Sequence, residues 1–419
     1  MKKSLLVVLA LNLQMVGIAQ WNYISPGASG LLLQQKVTFQ SATVGFMVGT
    51  NAVPNGNARI AKTTNGGVSW STVYSLPPAL TPSTLTMNDI QVVDANVAYA
   101  VGGYAIDEVR GVIAKSTNGG TTWDTLTHTL PTSKFLALHF FNANNGLIGG
   151  FGLYSTANGG TSWTEVTLPS GVVDISDIHF VDANTGFAVS NTGGSLIRST
   201  NGGATWSEVT LPTSEETKKL VFFDASRGLI ACDNGVILYT SNGGLNWSAA
   251  TNADPDLDDV LCVEMVSATV GYAGTVGGRI LHTTNGGQTW TVGVDATTLS
   301  AALLFASIYD IDFVNQQAGY ACGSLFGGIL KTTNGGVVGI EEWTRETLAM
   351  APNPATDHLR YDGQDMRTVQ VHSADGRLIE THTNTTLNGN LPVAHLPAGA
   401  YVLRAFGRDV VREGLFIKD

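Results

Sequence analysis

Ser199-Thr200-Asn201-Gly202-Gly203-Ala204-Thr205-Trp206 is one of six near-copies of the same eight residues. The others are Thr63–Trp70, Ser116–Trp123, Thr156–Trp163, Thr240–Trp247 and Thr283–Trp290. Asn-Gly-Gly recurs a seventh time at Asn334, without its tryptophan, and the spacing between copies is 40 to 53 residues. Asn-Gly and Gly-Gly supply the positive-φ residues of tight β turns, so each copy marks a hairpin. Upstream of each lies a second column. Gly45, Ala98, Gly146, Gly186, Gly228, Gly271 and Gly319 are each followed by a large apolar residue. Six residues earlier stand Phe39, Val92, Phe140, Phe180, Phe222, Met265 and Phe313.

Each unit therefore reads as four short strands, A to D. In the fourth unit these are Ile178-His179-Phe180, Gly186–Val189, Leu196–Ser199 and a strand beginning near Trp206. One such unit cannot bury both faces of its sheet. Units stacked radially bury each other, which is a β-propeller. The expected fold is all-β: a seven-bladed β-propeller, followed by a small Ig-like β-sandwich. A spare Trp21, in Trp21-Asn22-Tyr23-Ile24, matches the tryptophan missing after Asn334. Residues 21–24 are thus expected to supply the outer strand of the seventh blade, pairing near Leu330–Thr332 and leaving no open edge.

These motifs resemble Asp-box (BNR) repeats, with Asn where Asp is common. The repeat as a whole is similar to the photosystem II assembly factor family of propellers, over about 320 residues. The resemblance implies the fold and a structural role for the box. It does not imply one function, because such repeats recur in sialidases, other glycan enzymes and sortilin-type receptors.

Composition bounds the partners. The 419 residues carry 49 glycines, 13% charged residues and a net charge of −11. An acidic chain disfavours nucleic acid and anionic lipid, which need a basic face. Three cysteines do not make a disulfide framework for a chain this long. Residues 1–19 read as a signal peptide: Lys2 and Lys3, the apolar run Leu5–Leu11, then Gly17-Ile18-Ala19 for cleavage. No later stretch is long and apolar enough for a membrane helix.

After residues 20–336, the propeller, residues 337–347 read as a linker and 348–419 as a second domain. Its strands are separated by Asn-Pro, Asp-Gly and Ala-Gly turns. Pro352-Asn353-Pro354 with Leu359, Asp375-Gly376-Arg377 and Leu396–Tyr401 resemble, in order and spacing, the type A C-terminal sorting domain of the type IX secretion system. The resemblance implies handling by that machinery, passage through the outer membrane, removal of the domain, and release or attachment at the surface. The alternative is an adhesive Ig-like module that stays attached.

Enzyme signatures are sparse. A sialidase on this fold needs three arginines around the substrate carboxylate. Arg59, Arg110, Arg198, Arg227 and Arg279 are the propeller's arginines, and none falls on a strand A. The position before the Phe column carries Thr38, Gln91, His139, His179, Val221, Glu264 and Asp312, with Asp89, Asp177 and Asp310 two residues earlier. Of these, Gln91, His139, His179, Glu264 and Asp312 are the candidate channel lining. Paired carboxylates there are the one glycosidase-like feature. Two histidines without a third ligand make no metal site. Asp254–Asp259 begins like a calcium loop, but position twelve is Met265 where a bidentate Glu is needed. No metal or cofactor is expected.

In a four-stranded blade the B–C hairpins and D–A connections share one end of the disc. The long connections fall there, in blades one, two, six and seven, and several of their residues are apolar. Loops on a rigid scaffold carry binding residues, so Leu80, Leu85, Tyr104, Leu304, Phe305 and Phe326 are the candidate ligand contacts. The sequence reads as a secreted or cell-surface, non-enzymatic propeller binding a protein or glycan. A carbohydrate-active enzyme on the same scaffold is the alternative.

Overall fold

The computed structural model describes residues 21–24, 33–51, 56–76, 85–104, 111–131, 134–254, 256–295, 307–324, 329–335, 344–361, 368–373, 378–383, 389–406 and 410–419. The chain divides into two compact units, Met1–Val338 and Gly339–Asp419. All its described regular elements are strands.

The first unit holds seven sheets, one per repeat, antiparallel throughout except that in the sixth Thr251–Asn252 pairs in parallel with Thr289–Asp295. Their inner strands (A) are Leu33–Phe39, Leu85–Val92, Phe135–Phe140, Asp177–Phe180, Thr217–Phe222, Val260–Met265 and Ile308–Phe313. Each touches the next in cyclic order, and the seventh touches the first, so the sheets close into a propeller. We number the blades in that order. The seventh blade is completed by Asn22–Ile24, antiparallel to Ile329–Thr332 with Asn22 opposite Lys331 and Tyr23 opposite Leu330. Trp21, only 2% exposed, enters the core between blades six and seven with Tyr272, Ile280 and Ile308.

The repeated octapeptide folds for local reasons. In the fourth copy Asn201 Oδ1 accepts from Ser199 Oγ at 2.9 Å and from the Thr205 N–H at 3.0 Å. Asn201 Nδ2 donates to Thr205 Oγ1, and the Gly203 N–H donates to Ser199 Oγ, both at 2.9 Å. Gly202 and Gly203 have φ of 69° and 82°, and a Cβ on Gly203 would lie 2.7 Å from Leu147 Cδ1. Only glycine meets both demands. The same turn also joins blades. Lys62 Nζ donates to Gly119 O at 2.7 Å and Lys115 Nζ to Gly159 O at 3.2 Å. Lys331 Nζ donates to Gly66 O at 2.8 Å, bringing blade seven onto blade one.

Six of the seven inner strands carry a bulge at one position, for example between Gln34 and Lys36 and between Ile308 and Asp310. An extra residue there re-aims the chain. Before the bulge the side chains enter the core between blades, as Met87, Phe135 and Val260 do. After it, alternate residues line the axis.

In the second unit a five-stranded and a three-stranded sheet share one core. Leu359 and Leu391 come from the smaller sheet, and Val369, Val371, Leu403 and Phe416 from the larger. All members of this core belong to residues 348–416.

Candidate functional site

The ring of inner strands encloses a cavity of about 740 Å³. Two layers of side chains line it. The first is Thr38, Gln91, His139, His179, Val221, Glu264 and Asp312, one from each blade. All five expected channel residues, Gln91, His139, His179, Glu264 and Asp312, therefore meet in one cavity. The second layer, two residues earlier, contributes Lys36, Asp177, Lys219 and Asp310. Lys36 and Lys219 were missed by the sequence reading, which sought arginine. They stand in the same column as Asp89, Asp177 and Asp310, which is the signal that would have found them.

The channel acids do structural work. Asp89 Oδ2 accepts the Leu138 N–H at 2.8 Å, and Asp177 Oδ2 accepts the Leu220 N–H at 2.9 Å. Asp310 Oδ2 takes the Val37 N–H and Asp312 Oδ2 the Phe39 N–H, both at 3.0 Å, across the join between blades seven and one. Each carboxylate thus staples its blade to the next. Gln91 does the same as an amide pair, accepting from the Phe140 N–H at 2.6 Å and donating to Phe140 O at 3.0 Å. Lys36 Nζ lies 2.6 Å from Asp89 Oδ1, and Lys219 Nζ 3.9 Å from Asp177 Oδ1.

Burial sets the electrostatics. It pulls the Lys36 ammonium down, but Asp89, Asp310 and Asp177 together outweigh it and raise its pKa. Burial pushes Asp310 up to about 6, against the pull of Lys219, Lys36 and the Val37 N–H. It pushes Asp312 up to about 7, with repulsion from Asp310 added. Glu264 is raised well above the usual carboxylate range by burial and then by Asp312 and Asp310. His139 is held down to about 4 by burial and by His179, and His179 is lowered by burial as well. Both rings rest on aromatic neighbours: His139 lies 4.9 Å from Phe180 and His179 5.9 Å from Phe222. They are neutral packing groups near pH 7. Among the described residues no set of three His, Cys, Asp or Glu side chains could hold a metal ion.

The cavity reaches the A–B turns, where Gln40, Asp94 and Phe223 are exposed. This is the end opposite the long connections. Of the six contacts expected on those connections, Leu80, Leu304, Phe305 and Phe326 lie outside the described residues. Tyr104 ends strand B of blade two, Ala98–Tyr104, its backbone opposite Leu85. Leu85 is a correction. It begins the inner strand of blade two, is 1% exposed, and packs with Val48, Ile60 and Met87. A side chain enclosed in the core is not presented to a ligand. Asp254–Asp259 is likewise accounted for without a metal: Arg279 Nη1 reaches Asp254 Oδ1 at 2.8 Å and Asp258 Oδ2 at 3.2 Å, and Nη2 pairs with Asp256.

Comparison with known proteins agrees with this architecture. Residues 157–304 match the family model described as photosynthesis system II assembly factor YCF48, and residues 349–410 match the secretion system C-terminal sorting domain. Residues 157–304 are thus similar to propeller repeats of the first kind and residues 349–410 to a sorting domain of the second, and the latter indicates type IX export to the cell surface or extracellular space. No curated protein matches the sequence. Among solved structures, YCF48 bound to D1 peptide has a TM-score of 0.59 at 18% identity, covering 75% of this chain and 95% of that one. PorZ, a surface component of the type IX secretion system of Porphyromonas gingivalis, has a TM-score of 0.55 at 11% identity, covering 94% and 60%. A GH74 xyloglucanase from Xanthomonas campestris has a TM-score of 0.57 at 13% identity, covering 93% and 66%. At these identities the likeness is one of fold. Among the described residues no helix is long and apolar enough to cross a membrane.

Proposed function

We propose that the propeller is a non-enzymatic binding module, displayed outside the cell and taking a protein or glycan ligand. The address rests on the sorting domain. The observation that carries the non-enzymatic reading is the use made of the channel acids. A glycosidase needs an acid and a carboxylate both free to reach the substrate. Four of the five channel acids instead hold a neighbouring strand's N–H. That commits one oxygen of each to the ring's closure. The peptide-bound YCF48 structure supports the same reading, since that propeller binds a polypeptide.

The test pairs two measurements on the exported chain. Incubation with a panel of surface polysaccharides is expected to release no sugar, while the same chain binds a protein or glycan saturably. Sugar release that disappears in a Glu264→Gln variant would establish the glycosidase instead.

A further inference from the structure

We propose that the channel mouth beside blades five to seven receives a primary ammonium group carried on an apolar stem, the chemistry of a lysine side chain offered by a partner polypeptide. The inference rests on, and deepens, the reading of the propeller as a binding module.

The first argument is charge. Lys36 and Lys219 already lie against Asp89 and Asp177, and Asp310 is placed to interact with both lysines. That leaves Glu264 and Asp312, at one level of adjacent inner strands, with no ion pair of their own among the described residues and only the more distant pull of Lys36. One oxygen of Asp312 holds the Phe39 N–H, and among the described residues no hydrogen bond reaches its other oxygen. Among the described residues no hydrogen bond or ion pair reaches the Glu264 carboxylate. His139 and His179 stay neutral and do not compete for these acids.

The second argument is shape. Val221 is the apolar member of the layer, next to Glu264 in ring order, and Phe223, one step further out, is 42% exposed at the mouth. A side chain entering past Phe223 lays its methylenes on Val221 and brings its tip to Glu264 and Asp312. An ammonium suits this place better than a guanidinium. Arginine's planar fork wants both oxygens of one carboxylate, which only Glu264 can give, and a guanidinium held there leaves Asp312 unserved. Three ammonium N–H groups can go singly to oxygens on two carboxylates.

Binding is coupled to protons. Burial favours the protonated forms of Asp312 and Glu264, and an arriving cation favours the ionised ones. Lys36, Lys219, Asp94, Asp177, Asp310, His139 and His179 are the other charged or titratable groups lining the cavity. Association therefore releases protons and strengthens as pH rises.

The experiment titrates the full chain calorimetrically with a blocked tripeptide carrying a central lysine, its norleucine and arginine counterparts, and 1,5-diaminopentane. The lysine peptide is expected to bind saturably, at least about tenfold more tightly than the norleucine peptide and more tightly than the arginine peptide, as a lost charge-assisted hydrogen bond implies. Its affinity should rise between pH 6 and pH 8, and Glu264→Gln should lower it about tenfold without lowering the melting temperature. Binding of the peptide but not the diamine assigns the site to a polypeptide, and equal binding of both assigns it to free amines. Equal affinity for lysine and norleucine, an unchanged affinity in Glu264→Gln, or no binding of any amine would overturn the proposal. In those cases saturable binding of some other protein or glycan would leave the binding-module reading standing, and hydrolysis would remove that too.

Discussion

Trp21 lies edge-on to Phe313, with ring centroids 5.9 Å apart and planes at 86°. The pairs Phe39–Trp70, Phe180–Trp206 and Phe222–Trp247 have centroids 5.8, 5.9 and 5.8 Å apart, at 80°, 80° and 84°. The N-terminal tryptophan thus occupies in blade seven the place that the octapeptide tryptophan occupies in the others. Trp21→Ala is expected to cost about 3–5 kcal/mol, the usual loss for a buried aromatic, measured by urea unfolding. An unchanged unfolding midpoint would show that the clasp adds nothing.

The Asp310 staple makes a finer prediction. Asp310→Ala leaves the buried Val37 N–H without its side-chain acceptor. The expected loss is about 1–3 kcal/mol. Asp310→Asn keeps an acceptor oxygen and should recover most of it. Denaturation of the two variants side by side checks the order, and an alanine variant as stable as the asparagine one would dismiss the staple.

Stability should respond to pH through Asp312. Its folded pKa of about 7 lies above the value expected unfolded, so between about pH 4 and pH 7 the folded state binds more protons. The group's contribution is therefore fully present in acid and is lost as pH rises toward 7. His139, held down to about 4, slopes the opposite way between about pH 4 and pH 6.5, while Asp310 and Glu264, also raised, slope with Asp312. The comparison that isolates Asp312 is with Asp312→Asn, which retains an acceptor for Phe39. The variant's advantage over the parent should be larger at pH 8 than at pH 5. A pH-independent difference would mean that Asp312 does not titrate in this range.

Deleting Met350–Asp419 should leave a folded propeller in the periplasm, because the core of that segment contains no propeller residue. Residues 348–419 fused to a periplasmic reporter should carry it outside a host with a working type IX system. Fractionation of cells and medium reads both outcomes. A reporter that remains periplasmic favours the adhesive-module alternative.

The propeller was legible because its decisive chemistry is local. Asn201, Ser199 and Thr205 make their bonds within seven residues of each other, so the text carries the turn. The clasp was legible as a surplus tryptophan facing a missing one. The staples were not, because the targets of Asp89 and Asp177 are backbone N–H groups, and every residue but proline has one. Leu85 misled for another reason. An apolar residue between two repeats reads alike in a long loop and at the start of a buried strand, and here pairing opposite Tyr104 extended the strand backward.

The completed seventh blade has a mechanical consequence. Ile329–Thr332, the strand that runs out toward the linker, is bonded along one edge to Gly319–Gly323 and along the other to Asn22–Ile24. Were the N-terminal segment absent, it would be the outermost strand, open to being peeled away one hydrogen bond at a time. With both edges held, a pull applied through the C-terminal side is shared between two neighbours, and flow or traction on a tethered molecule would have to strip Trp21 from its pocket before the ring could open.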